Sequence, residues 1–488
     1  MDLRLNIISL VGIYFLCFVA WLTSENRKNV PWDTIKWGVG IQFVLGFFIF
    51  VIPVTRETIV YLNDALNLLL DASEAGARFL FGKSFVPVPG SGPVTPTDLV
   101  NPQTGIFDPS TIVNPQTGLI HPNRLNNGFV FAFRSLPQVI FFSAIISLLY
   151  RMNAIQPIIS FFAKAFYRTM RVSGAEALSG SANIFVGIES IIAIKPFLQT
   201  MTRSEITAIL TSCFGSISST VLGLYAGMLR PTFPNITGHL VSASILTIPA
   251  CFVMAKIIVP ETGVPDTMGG IPEEKEDPDA QKPSYMDALI LGALDGVKMA
   301  VGIAAVLIAI LGMVELLDMV FKIAASWGNT QVLPTDVWYI AGFKYLKVGI
   351  GTVFQYVTLN NIFGVFFLPL TFFTGVSLEF SEIWKSSVLI GQRFLQTSVP
   401  PYLALAKLSS AGEISNRALL IVSYALCGFA HVPSIGIFVG GMTNLMPSRA
   451  HEISSLAWKS VWAATLATLM TGCIAGLYDF GLPSVLGK

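Results

Sequence analysis

Apolar residues gather along the chain in windows near 5–23, 36–55, 128–150, 204–229, 239–258, 286–321, 335–379 and 415–477. A helix needs about 17–25 predominantly apolar residues to cross ~30 Å of hydrocarbon. The windows meet that length, and the longer ones hold more than one element. The pattern predicts an all-α polytopic membrane protein. A β-barrel would show alternating segments of ~10 residues, and the chain has none. The first window, Leu5 to Thr23, is long for a signal peptide, lacks a small-x-small cleavage site and follows only Arg4. It predicts a retained first helix.

The polar intervals divide the chain. Residues 1–55 carry the N-terminal transmembrane helices. Residues 56–127 begin with leucines and charges at helical spacing, the pattern of a helix lying at the interface. They continue as a loop rich in Pro, Gly, Thr and Asn, with VNPQTG at Val100 and again at Val113. Two copies make a local duplication and no solenoid. Residues 128–259 form a first transmembrane core and 285–488 a second half. The acidic, Pro/Gly-rich segment 260–284 reads as a flexible linker between them. Arg27, Lys28 and Lys36, with Arg151, Lys164, Arg168 and Arg171, put the 24–36 and 151–171 segments on the cytoplasmic side. The loop around 82–127 then lies outside.

Polar residues inside the apolar windows mark the candidate chemistry. The stretch SGSANIFVGIESIIAIKP (179–196) holds Asn183, Glu189 and Lys195 among runs too short to span. A central charge costs roughly 2.5–3.5 kcal/mol on the insertion scale. A broken helix survives only against protein or a polar cavity, so a re-entrant hairpin is predicted over about 176–200, with its break at Gly187. A second is predicted over about 384–408, where Gly391, Gln392, Arg393, Gln396, Thr397 and Ser398 precede Pro400 and Pro401. The prolines remove two backbone donors and bias Val399 away from helix. Two short polar hairpins in separate halves are the sequence pointer to a transporter site. Ser216, Ser218, Ser219 and Thr220 interrupt one further run, and His431, Pro433 and Ser434 another; helix–helix contact is the commoner use of such hydroxyls.

Composition agrees. Apolar residues make up 53% of the 488 and charged residues 12%, about half the charge of soluble domains; mean hydropathy is +0.67. The net charge of +1 leaves no basic stripe for nucleic acid. Cys17, Cys213, Cys251, Cys427 and Cys473 lie singly in apolar runs, as small hydrophobes without metal or disulfide spacing.

Over roughly residues 30 to 478 the chain resembles the concentrative nucleoside transporter family. The resemblance rests on WGVGIQFVLGFFIF (37–50), AGARFLFG (75–82), FAFRSLPQVIFFSAIISLLY (131–150), MTRSEITAILTSCFGSISSTVLGLY (201–225) and SYALCGFAHVPSIGIFVGGMTNLMP (423–447). It implies a homotrimer in the cell membrane, with a scaffold, a moving transport domain, two re-entrant hairpins and unwound transmembrane helices. It also implies cation-coupled symport by an elevator-like shift, without covalent chemistry. Most members couple to Na+ and some bacterial members to H+. Carried over by motif, Na+ falls to the Asn183 side chain, the Val186 carbonyl, Ser216 and the Ile217 carbonyl. Members that look proton-coupled lack the Asn, which favours Na+ here.

The solute motifs depart from the family. Gly187 to Pro196 encloses eight residues, one fewer than the family's first hairpin. Either Glu189 takes the base-recognising role, or Ile188, Glu189 and Ser190 stand where the family has Gln, Thr and Glu. In the second hairpin Thr397 and Ser398 replace Asn and the ribose-binding Glu. His431 replaces Asn, while Phe429, Ser434 and Val221 keep the family's residues. Losing a charge-assisted bond to ribose removes ~1.5–3 kcal/mol. The expected solute is therefore a nucleoside, with a nucleobase, a modified nucleoside or another small polar molecule as the alternative. Glu189, Lys195, His431 and Ser434 include the residue types of an enzyme. The chain carries no nucleophile elbow, HExxH or metal-ligand spacing to support that reading.

Overall fold

The computed structural model describes residues 3–82, 85–86, 131–270 apart from 186, 188–189, 192–193 and 195–196, then 284–329 and 338–487. Among them the regular structure is helical. The chain opens with α1 (Leu3–Leu22), α2 (Trp32–Phe50) and the amphipathic α3 (Pro53–Phe81), then α4 (Phe131–Arg151) and α5 (Gln156–Met170). A first cluster of short helices follows: α6 (Gly174–Ala182), α7 (Arg203–Gly215) and α8 (Ser219–Leu229). The long α9 (Ile236–Ile258) and α10 (Tyr285–Ser326) separate it from the second half. There α11 (Trp338–Phe354) and α12 (Leu359–Phe373) precede α13 (Phe380–Leu395), α14 (Val399–Ser410), α15 (Asn416–Leu426), α16 (Val432–Leu445) and α17 (Ala450–Leu477).

Six of the described helices are long and apolar enough to cross a membrane, or seven if the pair bent by 55° across the α11–α12 junction is one span. They divide by surroundings. α9 and α17 are buried almost throughout, at the centre of the fold. α10 turns most of its apolar surface outward, including Ile290, Leu294, Val301 and Ile308, as a helix solvated by lipid does. It meets α4 through Gly292 and Gly296. A Cβ on Gly292 would lie 2.5 Å from Ser147 Cβ, and one on Gly296 2.7 Å from Ile140 Cα. This is the small-residue spacing that lets transmembrane backbones approach.

Local sequence explains why the short helices start where they do. Ser173 and Glu176 form a capping box on α6, as Thr202 and Glu205 do on α7. Each box satisfies two otherwise orphaned amides. The two are joined, since Ser173 Oγ donates to Glu205 Oε1 at 2.6 Å. Glu176 is also paired with Lys256 of α9 at 2.6 Å, and Lys256 with Glu261 at 3.2 Å. This buried knot fastens the starts of α6 and α7 to the end of α9.

At α14 the expectation for Val399 is corrected. Val399 is the first helical residue, and Pro400 and Pro401 sit in the first turn. Amides there have no intrahelical partner, so proline costs nothing and its fixed φ favours the helix. The prolines start α14 and do not break it.

Candidate functional site

Each half pairs a short-helix hairpin with a helix that breaks in mid-course. In the second half the chain reverses between α13 and α14 at Gln396–Ser398. In the first half α6 ends in a turn at Asn183–Phe185, and Ser190 lies back against it. The first helix break runs from Ser216 to Ser218, between α7 and α8, and the second from Cys427 to His431, between α15 and α16. Gly428 has φ +107, and a Cβ there would stand 2.3 Å from the Gly215 carbonyl oxygen. The two breaks therefore meet backbone to backbone, and only glycine fits the contact.

The candidates from the first half converge. Asn183 is fully buried; its Nδ2 donates to Ser212 Oγ at 2.9 Å and its Oδ1 accepts from Ser190 Oγ at 3.0 Å. Ser190 Oγ also lies 3.3 Å from Ser179 Oγ. Ser190 thus turns toward Asn183, in an intrahairpin link that residue spacing does not reveal. Ser216 and Ile217 are buried at the break, and Ser216 Oγ has no hydrogen-bond partner. Val221 is buried in the first turn of α8. Gly187 forms a bend whose carbonyl accepts from Ser190 N at 3.1 Å. Val186, Ile188, Glu189 and Lys195 lie outside the described residues.

The second-half candidates form another group. The single hydrogen of Ser398 Oγ is shared between the Gly428 carbonyl at 3.0 Å and the Leu426 carbonyl at 3.2 Å. An ionised Glu is acceptor-only and cannot make these bonds, so the serine converts the hairpin tip into a clasp on the helix break. Thr397 Oγ1 accepts from Val399 N at 3.4 Å, within the same turn. The buried side chains of His431 and Ser434 are paired, with Ser434 Oγ 2.8 Å from His431 Nδ1. The half-buried Phe429 has its ring 6.0 Å from those of His431 and Phe438, and Phe438 packs edge-on to Phe214 of α7 at 5.0 Å. Tyr402 of α14 stacks on Tyr225 of α8 at 4.7 Å and donates to the Ser423 carbonyl at 2.8 Å. Tyr225 and Phe214 thereby join the second hairpin and second break to the first-half helices.

The same arrangement of elements recurs in known proteins. Three family models match: "Na+ dependent nucleoside transporter N-terminus" over residues 11–84, "Nucleoside recognition" over 132–232, and "Na+ dependent nucleoside transporter C-terminus" over 239–476. An uncharacterized transporter of Haemophilus influenzae is 30% identical over 475 residues, covering 96% of this chain and 97% of the relative. The chain belongs to the Na+-dependent nucleoside transporter family. Solute carrier family 28 member 3 of Homo sapiens is 29% identical over 97% of this chain, which spans 60% of that longer protein. The solved structure of CNTnw in an inward-facing substrate-bound state matches with a TM-score of 0.77 at 28% identity, covering 99% of this chain and all of that one. An outward-facing variant of CNTnw matches at 0.74 with 27% identity, covering 97% of each chain.

The fold is therefore that of a multi-pass transporter whose solved relative is known facing either side of the membrane, and the enzyme reading falls. One feature of this nucleoside transporter family member was missed from its sequence: the Glu176–Lys256 knot, for which the S-x-x-E and T-x-x-E capping signals were available. Arg393 was named as a charge in the second hairpin, but its surroundings could not be guessed from spacing.

Proposed function

We propose that this protein is a secondary active symporter that couples Na+ entry to the uptake of a nucleoside or nucleoside-like solute. The single observation that carries the cation reading is Ser216. Its hydroxyl is buried at the unwound α7–α8 junction and lacks a partner, which fits a group reserved for a ligand outside the protein. Asn183, Val186, Ser216 and Ile217 would hold Na+, a hard ion suited to neutral oxygens. When bound, it supplies a positive charge that helps fix the hairpin against the break and links solute binding to the ion gradient.

The solute would lie between the hairpins and the breaks, toward Gly187, Ile188, Glu189, Ser190, Val221, Thr397, Ser398, Phe429, His431 and Ser434. Phe429 offers an aromatic face and the His431–Ser434 pair offers polar groups to a base. The two hairpins and broken helices would move as one transport domain past a scaffold, in a cell-membrane homotrimer with independent paths. The Ser398 clasp favours a second reading. A tip that donates to its own backbone supplies no carboxylate to ribose, so a nucleobase or modified nucleoside fits as well.

Uptake of labelled adenosine, uridine and hypoxanthine into proteoliposomes under an imposed Na+ or H+ gradient tests both. Na+-driven nucleoside uptake is expected, with Asn183→Ala lowering Na+ dependence at least tenfold, or about 1.4 kcal/mol. An H+ requirement, or Na+ dependence untouched by Asn183→Ala, would reject the cation assignment. Equal competition by free base and nucleoside would select the second reading.

A further inference from the structure

Arg393 is the least satisfied charge in the described fold. It stands in the last turn of α13, five residues before Ser398, and is completely buried. Its Nη1 donates to Thr468 Oγ1 of α17 at 3.0 Å. Its Nε and Nη2 are buried and have no hydrogen-bond partner. Among the described residues no carboxylate pairs with it. A buried charge is ordinarily paired, and this one is not.

The identity of the idle atoms is informative. Nε–H and Nη2–H project in parallel from one edge of the guanidinium, the fork that receives two oxygens of a carboxylate or phosphate. The C-terminal end of α13, in whose last turn Arg393 stands, brings roughly half a negative charge nearby. It offsets part of the cation's charge and places no acceptor on the Nε/Nη2 edge. The surroundings belong to the candidate solute region. The helix of Arg393, α13, packs against α14, α15 and α16, whose ends carry Ser398, Cys427 and His431. Cys427 lies between the Leu426 and Gly428 carbonyls that Ser398 clasps. The tip itself has lost an acceptor: Ser398 stands where the family's carboxylate is expected.

We propose that the Nε/Nη2 edge of Arg393 receives an oxyanion, a carboxylate or phosphate, in the solute-bound state. The oxyanion is either part of the solute or a free ion that binds beside a neutral one. This rests on the symporter reading above and narrows its solute to one that brings, or needs, a negative charge.

The test uses the purified full-length chain in detergent with Na+ present. Binding is measured for uridine, for its carboxylated analogue orotidine and for uridine 5′-monophosphate. Thermal stability is measured in inorganic phosphate against chloride at matched ionic strength. If the solute carries the oxyanion, orotidine or the monophosphate binds roughly tenfold or more tightly than uridine. If the oxyanion is free, phosphate raises the melting temperature and strengthens uridine binding. In either case Arg393→Met brings the ratio close to one, and Arg393→Lys, which keeps the charge but not the fork, restores part of it. The proposal is overturned if charge on the ligand and phosphate in the buffer make no difference to the unmodified protein, or if the preference survives in Arg393→Met. Phosphate protection that requires Arg393, with no binding of any nucleoside, would keep the oxyanion site and sink the nucleoside reading.

Discussion

The two halves use the same plan, a hairpin closing on a broken helix, and fasten it in different ways. In the first half the ties run side chain to side chain, from Ser190 through Asn183 to Ser212. In the second they run side chain to backbone, from Ser398 to the Leu426 and Gly428 carbonyls and from Tyr402 to that of Ser423. The difference decides which break has oxygen to spare. At the second break the Ser398 hydroxyl is already engaged, its one hydrogen shared between the Gly428 carbonyl and that of Leu426 at the end of α15. The first keeps the Ser216 hydroxyl unengaged. On the proposed reading an oxygen-seeking cation is better served by the first half, while the second holds a buried guanidinium with two idle donors.

The strongest way to break this comparison is to pry the two halves apart where they touch. Gly428→Ala forces a side chain into positive φ and puts a Cβ 2.3 Å from the Gly215 carbonyl oxygen. Left-handed strain and overpacking together should cost about 2–4 kcal/mol, read as a lower denaturation midpoint and lost uptake. Gly412→Ala is the control, with φ +69 and nothing within 4 Å of the added Cβ. It should cost only about 1 kcal/mol. Equal losses in the two variants would mean that the breaks do not rely on each other's backbone.

How far this could be read in the sequence depends on the range of the interaction. The transmembrane helices are written in apolar runs of sufficient length, and the second hairpin in a cluster of polar residues ahead of two prolines. Val399 was misjudged because the rule against helix before proline competes with the welcome that a first turn gives it. The breaks at Ser216 and His431 were visible as polar interruptions. The direction of Ser398 was not visible, because a carboxylate-to-hydroxyl exchange reads as a loss until the carbonyls it donates to, 28 and 30 residues away, are located. Arg393 was plain as a charge, but its idle edge exists only in three dimensions.

A smaller effect sharpens the same contrast. Ser190→Ala strips Asn183 Oδ1 of its hydroxyl donor, whereas Ser398→Ala releases the clasp on the second break. Each removes hydrogen bonding worth about 1–2 kcal/mol, or about 5–30-fold in an equilibrium. Ser190→Ala should act mainly on the Na+ concentration for half-maximal uptake, and Ser398→Ala mainly on the solute KM. Identical shifts of both parameters in both variants would dissolve the division of labour between the halves.

A weaker tie between the halves is at the surface and depends on pH. Glu25, in the loop after α1, accepts from Arg203 at the start of α7 at 2.9 Å and also pairs with Lys459 of α17. Partial burial pushes its carboxyl upward, but the hydrogen bonds from Lys459 and Arg203 outweigh it and hold the group below its ordinary value of 4.5. A carboxyl lowered on folding adds stability above its unfolded value and loses it as pH falls through the folded one. The tie is therefore complete at neutral pH and fades below about pH 4.5. Glu25→Gln should lower stability at pH 7 by roughly 0.2–1 kcal/mol, as for other partly exposed ion pairs. That difference should shrink in high salt and vanish as the unmodified protein is acidified through the folded value. A penalty that stayed constant across this pH range would show that Glu25 acts through packing, leaving the buried contacts between the breaks as the charge-independent link between the halves.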